Sequence, residues 1–412
     1  MTVTASTDQA VTVALDAAAA AIVSARRAAL ADRYAANALV AEWVELSKLA
    51  PIAAQWRELA GRALEPNVFY EPAFALEAAG VFGRNDAGAV LVWSGTQPRT
   101  LLGFFPARIE ARRYGLKLPV LVGWTHPYAP LGTPLVERET AEAVIAAWLA
   151  HLADNPQLPG LALLPFVPED GPFVAALGAI VERAQIATAD FNRHRRAQLA
   201  PRGERSRYVE LALNPRKHKE LRRMGRRLGE LGATLFTTKT EPAAVAAGIE
   251  DFFALEARGW KGRAGTASAQ RDDIRRFIKT ALMRLAAEGK VLIKHFYLDG
   301  RPIAVAITLR SADAAWFWKI AYDEHFGRYS PGVILTVAMT EELADDITLA
   351  RIDSCATANH PMIDHIWRER LALCDRLIAV RPDAPFALAR RLETLRRAAI
   401  AAVKRVRGRF HR

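Results

Sequence analysis

Two cysteines in 412 residues, Cys355 and Cys374, are too few for a disulfide framework or a cysteine-rich metal site. Each reads as a small buried apolar side chain. Long apolar runs are missing as well: no uncharged stretch approaches the roughly 18 residues that a membrane-spanning helix requires. The N-terminal MTVTASTDQAVTVALD lacks the basic start of a secretory signal, so the chain reads as cytosolic. There is no Walker-type phosphate loop, no G-x-S-x-G elbow and no H-E-x-x-H pair. His360 and His365 lie five residues apart, on different faces of a helix, and no metal is expected. Acidic residues are in deficit, 44 against 56 Lys and Arg, which leaves a net charge of +12.

That excess is concentrated. Between Arg381 and Arg412 ten Arg or Lys face only Asp383 and Glu393, so this tail holds +8 of the +12. A second cluster, NPRKHKELRRMGRRLGELG at 214–232, carries seven basic and two acidic residues. Either could meet an anionic lipid surface, nucleic acid or a phosphorylated ligand. The tail reads as a solvated amphipathic helix, dispensable for the fold because its charge density leaves little apolar surface to bury, with contact to an anionic surface or a partner as the alternative.

The remaining composition, 51% apolar and 24% charged, is that of an ordinary globular protein able to build a core. The texture divides the chain into an Ala-rich arm (1–40), a mixed α/β domain (41–205), a second α/β domain (206–380) and the basic tail (381–412). In the first domain, helical patterns at 41–61 and 72–80 precede strand-like AVLVWSG, RTLLGFFPARIE and LPVLVGW, then a helix at 137–153, a strand at 160–166 and a helix near 172–181. The second starts with a strand YVELAL and the basic helix, in which Leu221, Met224, Leu228 and Leu231 recur at helical spacing. Strand ATLFTTKT and helices near 242–258 and 270–288 lead to a meander, KVLIKHFYL, RPIAVAITLR and AAWFWKI, whose first turn is Asp299-Gly300. Strand LARID, a helix near 360–371 and a strand RLIAV follow.

The stretch WFWKIAYDEHFGRYSPGVILTVAMTEEL, residues 316–343, reads as strand, loop and helix, with Pro331 at the first helical position. A helix start of this kind presents unpaired amides and a positive dipole end. An antiparallel meander followed by strand, loop, helix and strand is the order of the GNAT acyltransferase fold, and the fainter mixture in the first half fits a duplicated GNAT-like architecture.

Four segments resemble the GNAT-related acetyltransferases associated with cellulose biosynthesis, close to the FemAB-like double-GNAT proteins: RKHKELRRMGRRLGELG, FFALEARGWKGRAGTA, LDGRPIAVAITL and YDEHFGRYSPGVIL. The likeness spans roughly 210–380, with a weaker echo in FYEPAF and YAPLGTPLV. It implies acyl-CoA, acetyl-CoA among others, as donor and an amine as acceptor, such as an amino sugar or a polysaccharide precursor. It also implies a pyrophosphate held by amides around Ser330, Gly332 and Val333, with Arg328 and Tyr329 in the same loop. The general GNAT loop is matched only at Gly332, and Ile363 and Asp364 stand where the family has a Tyr-Lys pair. Candidate catalytic residues are Asp353 at a strand end, Tyr322 after the meander and His360. Candidate substrate contacts are Trp260 and Lys261 in a glycine-spaced loop, with His126 and Tyr128 in the Pro-rich WTHPYAPLGTP as a second wall. Two rivals stay open: an aminoacyl-tRNA-dependent transferase using the basic helix on RNA phosphates, and a degenerate scaffold that only binds.

Overall fold

The computed structural model describes residues 39–83, 86–201, 203 and 205–410, so nearly all of the N-terminal arm lies outside the described residues. In chain order the elements are β1 (Val40–Glu45), α1 (Ala53–Gly61), α2 (Pro72–Phe82), β2 (Ala87–Trp93), β3 (Leu101–Glu110), β4 (Val120–Gly123), β5 (Leu135–Val136), α3 (Ala141–Asp154), β6 (Leu161–Pro168), α4 (Pro172–Arg183) and β7 (Thr188–Leu199). The second half holds α5 (Tyr208–Ala212), α6 (Pro215–Gly229), β8 (Thr234–Lys239), α7 (Pro242–Arg258), α8 (Trp260–Arg263), α9 (Asp272–Ala287), β9 (Val291–Leu298), β10 (Arg301–Ser311), β11 (Ala314–Tyr322), α10 (Pro331–Asp345), β12 (Arg351–Asp353), β13 (Glu369–Ala379) and α11 (Phe386–Phe410). Among the described residues no helix is long and apolar enough to cross a membrane.

The chain forms two compact units built from non-contiguous stretches, unlike the linear division read from the sequence. Unit 1 comprises Met1–Glu65, Gly83–Arg193 and Leu373–Arg412; unit 2 comprises Pro66–Phe82 and His194–Ala372. Each unit repeats one strand order. In unit 1, β1 to β4 are antiparallel neighbours, β6 joins β4 in parallel, and β13 pairs antiparallel with β6. In unit 2, β8 to β11 are antiparallel, β12 joins β11 in parallel, and Leu199 of β7 pairs antiparallel with Ile352. This repeat is the tandem GNAT-like α/β architecture expected, with the last strand of each unit coming from the other half of the sequence.

Unit 1 buries α3 and α4 against its sheet through Ile145, Trp148, Leu149, Leu177 and Ile180. Unit 2 seats Leu335, Met339 and Leu343 of α10 on Ala304, Ala306, Phe317 and Ile352. Within α10 the Thr340 hydroxyl donates to the Thr336 carbonyl and accepts from the Trp367 indole (2.9 Å). Asp299 and Gly300 adopt positive φ, 48° and 75°, the pair of values a two-residue hairpin turn requires. The basic helix α6 is capped by Asn214, whose side chain accepts from the Lys217 amide. It buries Leu221 and Leu228, while Leu231 beyond its end is exposed.

Three local readings change. YVELAL is helical over Tyr208–Ala212 rather than a strand, because Tyr208 is tied down by its hydroxyl, which donates to Glu369 and accepts from the Arg368 amide, instead of by a neighbouring strand. The helix expected at 360–371 is a single 3-10 turn, Ile363–His365, after which β13 starts; Arg370 donates to the carbonyls of Asp364, Trp367 and Glu369 and closes the turn. The start of the helix expected at 41–61 is β1, paired with β2 from Val40↔Trp93 to Glu45↔Gly88.

The tail is helical, yet its first turns are packed rather than solvated. Ala389 and Glu393 are fully buried, and Phe386 and Leu392 rest on the Leu118, Val120 and Leu377 cluster. Glu393 accepts from Arg113, Arg396 and Arg397, and Arg397 also pairs with buried Asp375. Every described side chain from Ala398 to Val403 is exposed. Deleting residues 398–412 is therefore expected to leave the melting temperature unchanged, whereas deleting 384–412 lowers it by several degrees, since losing about 1 kcal/mol shifts Tm by roughly 2–4 °C for a folding unit of about 150–250 residues. Thermal denaturation of both truncations checks this.

Candidate functional site

The site in unit 2 arises where two strands part. β11 and β12 pair in parallel only from Ala314↔Arg351 to Trp316↔Asp353. Just beyond, Trp318 is an extra residue in β11: Lys319 lies opposite Ile307 and Phe317 opposite Thr308, so nothing in β10 pairs with Trp318. A bulge bends its strand and re-aims the side chains around it. Because cross-strand partners share a face and Ile307 and Thr308 alternate, Lys319 and Phe317 point to opposite faces although they are two apart. The gap so opened is a cavity of about 180 Å³, lined by residues 317–320 of β11, Ser354, Cys355 and Ala356 after β12, His360, Met362, Ile363 and Lys261. A smaller hollow of about 40 Å³ shares Lys261 and Ile320 and is lined further by Glu256, Trp260, Tyr322 and Glu324.

Lys319 lines this cavity together with Lys261. Burial pushes its ammonium down to about 8, opposed by the Glu256 carboxylate and assisted by the Lys261 ammonium. It also lies over the Trp318 ring, 5.3 Å from the centroid. Lys261 donates to Glu256 (2.9 Å), and the second Glu256 oxygen accepts from the Ser268 amide (2.7 Å). Burial alone would raise the Glu256 carboxyl, but these contacts hold it below the usual range.

The loop carrying Trp260 and Lys261 is rigid for identifiable reasons. Glu324 accepts from the Trp260 amide (2.7 Å) and from Arg263 (2.6 Å). A Cβ on Gly262 would fall 1.7 Å from the Ala257 carbonyl oxygen, so the glycine is what allows the loop to close on α7. Trp260 itself is 58% exposed at the rim.

The structure thus brings Lys261 and His360 into the lining of the larger cavity with Lys319, and Trp260 and Tyr322 into the adjoining hollow, which Lys261 also lines. His360 sits in a turn rather than at a helix start, and its Nδ1 accepts from the Met362 amide (3.3 Å). Asp353 is placed behind the wall: it is ion-paired with buried Arg196, and its other oxygen accepts from the Cys355 amide (2.9 Å). That contact holds Cys355 at a φ of 53° and shapes the segment 354–356 that lines the cavity. Cys355 belongs to the lining, and burial pushes its thiol well up.

The proposed donor loop is a 3-10 turn, Glu324–Tyr329, started by Asp323, which accepts from the His325 amide (3.0 Å) and from Arg301 (2.9 Å). Ser330 has left-handed backbone (φ 53°) and α10 begins at Pro331, with Ile334 the first amide bonded inside the helix, to the Ser330 carbonyl. Gly332 and Val333 therefore carry the two first-turn amides. The Tyr322 ring lies over Gly332, where a Cβ would meet it at 2.9 Å, so packing of Tyr322 also requires a glycine here. Arg328 stacks on Tyr329, 4.8 Å from the ring centroid. None of residues 328–333 lines the cavity.

His126 and Tyr128 belong to unit 1, where the Tyr128 amide donates to His126 Nδ1 (3.4 Å) and burial lowers the His126 imidazole to about 3. Lys319 and Cys355 escape a reading of the sequence by type and spacing. The available signal was a lone lysine inside the otherwise apolar strand AAWFWKIAY.

Residues 215–360, all within unit 2, match the acetyltransferase (GNAT) domain family. No curated protein matches the chain. Among solved structures it is similar to the C-terminal domain of a protein assigned as a lysylphosphatidylglycerol synthetase from Agrobacterium fabrum, at 12% identity and a TM-score of 0.51, over 84% of this chain and 96% of that one. FemX is similar at 9% identity and a TM-score of 0.53, over 82% of this chain and 97% of that one. These likenesses concern the fold. The likeness to the acetyltransferase (GNAT) domain family thus falls in the second of two α/β units that share one strand order.

Proposed function

We propose that unit 2 transfers a small acyl group, acetyl in the simplest case, from acyl-CoA to a primary amine. The observation that carries this reading is Lys319, which lines the opening between β11 and β12 and whose ammonium burial brings down to about 8. An acceptor amine arrives as an ammonium and reacts only after losing a proton, and a base titrating near 8 is suited to accept it. Neutral Lys319 takes that proton, the amine forms the new C–N bond as the thioester C–S bond breaks, and the CoA thiolate leaves and takes up a proton; the Lys261–Glu256 pair beside Lys319 keeps a second positive charge fixed at the cavity wall.

The fit to a CoA donor rests on the two first-turn amides of Gly332 and Val333, which would hold the pyrophosphate, and on the cavity, which would hold the acyl end. The donor supplies the activated acyl group; the protein supplies orientation and the base. For the acceptor we favour an amine borne on a sugar, because the exposed Trp260 indole offers a flat apolar face at the rim with Glu324 beside it. An aminoacyl-tRNA donor is the competing reading, supported by α6, whose Arg222, Arg223, Arg226 and Arg227 crowd one helix in the same unit.

Calorimetric titration with acetyl-CoA, run in parallel with aminoacylated tRNA, separates these readings, and transfer to glucosamine and to simple alkylamines then ranks acceptors. Acetyl-CoA binding with acetylation of glucosamine is expected. Binding of aminoacyl-tRNA alone would move the assignment to the competing donor.

A further inference from the structure

We infer that α11 is a docking element for an anionic lipid bilayer surface. The helix carries eight basic residues, Arg390, Arg391, Arg396, Arg397, Lys404, Arg405, Arg407 and Arg409, against one acid. That acid, Glu393, is fully buried and consumed by Arg113, Arg396 and Arg397, so the helix offers no accessible negative charge. Charge alone would suit any polyanion. What singles out a bilayer is the apolar row beside it.

Leu388, Leu395 and Val403 are 45%, 66% and 53% exposed. At 3.6 residues per turn, Leu388 and Leu395 lie within about 20° of each other and Val403 within about 60° of Leu388, a single stripe along the helix. In the sequence the same spacing continues at Val406 and Phe410. Arg391 and Arg396 flank this stripe on its two sides, at about 60° and 80° from Leu388, where their stems can lie along an apolar interface and their charges reach headgroups.

A nucleic-acid backbone rewards the arginines but gives nothing for exposed leucines, and a second copy of this helix would bring like charges together. An anionic bilayer accepts both features at once, the leucines entering the headgroup boundary and the arginines pairing with lipid charge. The anchoring end of the helix, through Ala389, Glu393 and Arg397, stays fixed to unit 1, so membrane contact tethers the folded protein rather than unfolding it.

The test is co-sedimentation of the full chain with phosphatidylcholine vesicles and with vesicles containing about one third phosphatidylglycerol. Binding to the anionic vesicles at least about tenfold above the neutral ones is expected, and it should fall with added salt. The Leu388→Gln/Leu395→Gln pair and the charge reversal Arg391→Glu should each reduce it at least about fivefold with an unchanged melting temperature. Absence of binding to anionic vesicles, or equal binding by the leucine pair, overturns the proposal. So does retention of tRNA that depends on the arginines, ignores the leucines and occurs without vesicle binding.

Discussion

Replacing Lys319 by methionine is expected to lower acyl transfer by about 10²–10⁴-fold, the range attributed to one positioned acid–base group. Methionine keeps most of the aliphatic stem and removes only the amine, so packing against Trp318 is largely retained. In the wild type the rate should rise with pH and level off above about 8, where Lys319 becomes neutral. Lys319→Arg keeps a charge that does not titrate in this range and should be as slow as the methionine variant, without the rise. Stability also rises with pH, but over a higher window. A lysine whose folded value lies below its unfolded value burdens the fold while it is charged, and the burden lifts as pH climbs from about 8 toward the ordinary lysine range. The methionine variant should therefore be at least as stable as the wild type at pH 7 and lack that rise. Rate against pH and denaturation against pH, measured on the same three proteins, decide the matter; a methionine variant with wild-type rate would reduce Lys319 to a packing residue.

The second large effect is on folding. Asp353 and Arg196 are 5% and 2% exposed, and Asp353→Ala leaves the guanidinium buried without its carboxylate. Breaking a buried pair from one side costs about 3–5 kcal/mol. Asp353→Asn keeps an oxygen for the Cys355 amide and so should preserve the 354–356 wall better than alanine does. Urea denaturation of both variants provides the measurement. If Asp353→Ala instead kept its stability and lost its rate, the carboxylate would be acting in the chemistry and not behind it.

The sequence announced elements whose signals are local. The Asp299-Gly300 hairpin, the meander, the Pro331 helix start and the glycine-spaced loop around Trp260 follow from turn chemistry and periodicity within a few residues. The site was only half legible. Period-2 alternation places Lys319 on the face of Phe317, and the bulge at Trp318 that moves it to the other face is a property of the pairing with β10. Asp353 looked like a base because it ends a strand next to the expected cleft, but its partner Arg196 comes from a strand 157 positions earlier in the chain. At Gly332 the motif announced a glycine, but the Tyr322 ring that lies over it could not be read from the motif. The tail misled for a related reason: its charge density was plain, but the single buried Glu393 that gathers Arg113, Arg396 and Arg397 could be valued only once α11 was docked. In each case the missing information was a contact between different elements.

Crystals of the protein grown with acetyl-CoA offer the most direct check of the site. The acetyl group should lie in the opening between β11 and β12, beside Lys319 and Cys355, with the pyrophosphate at the amides of Gly332 and Val333. Acetyl-CoA bound elsewhere on the chain, or no binding at saturating concentration, would contradict the assignment of this opening as an acyl-transfer site.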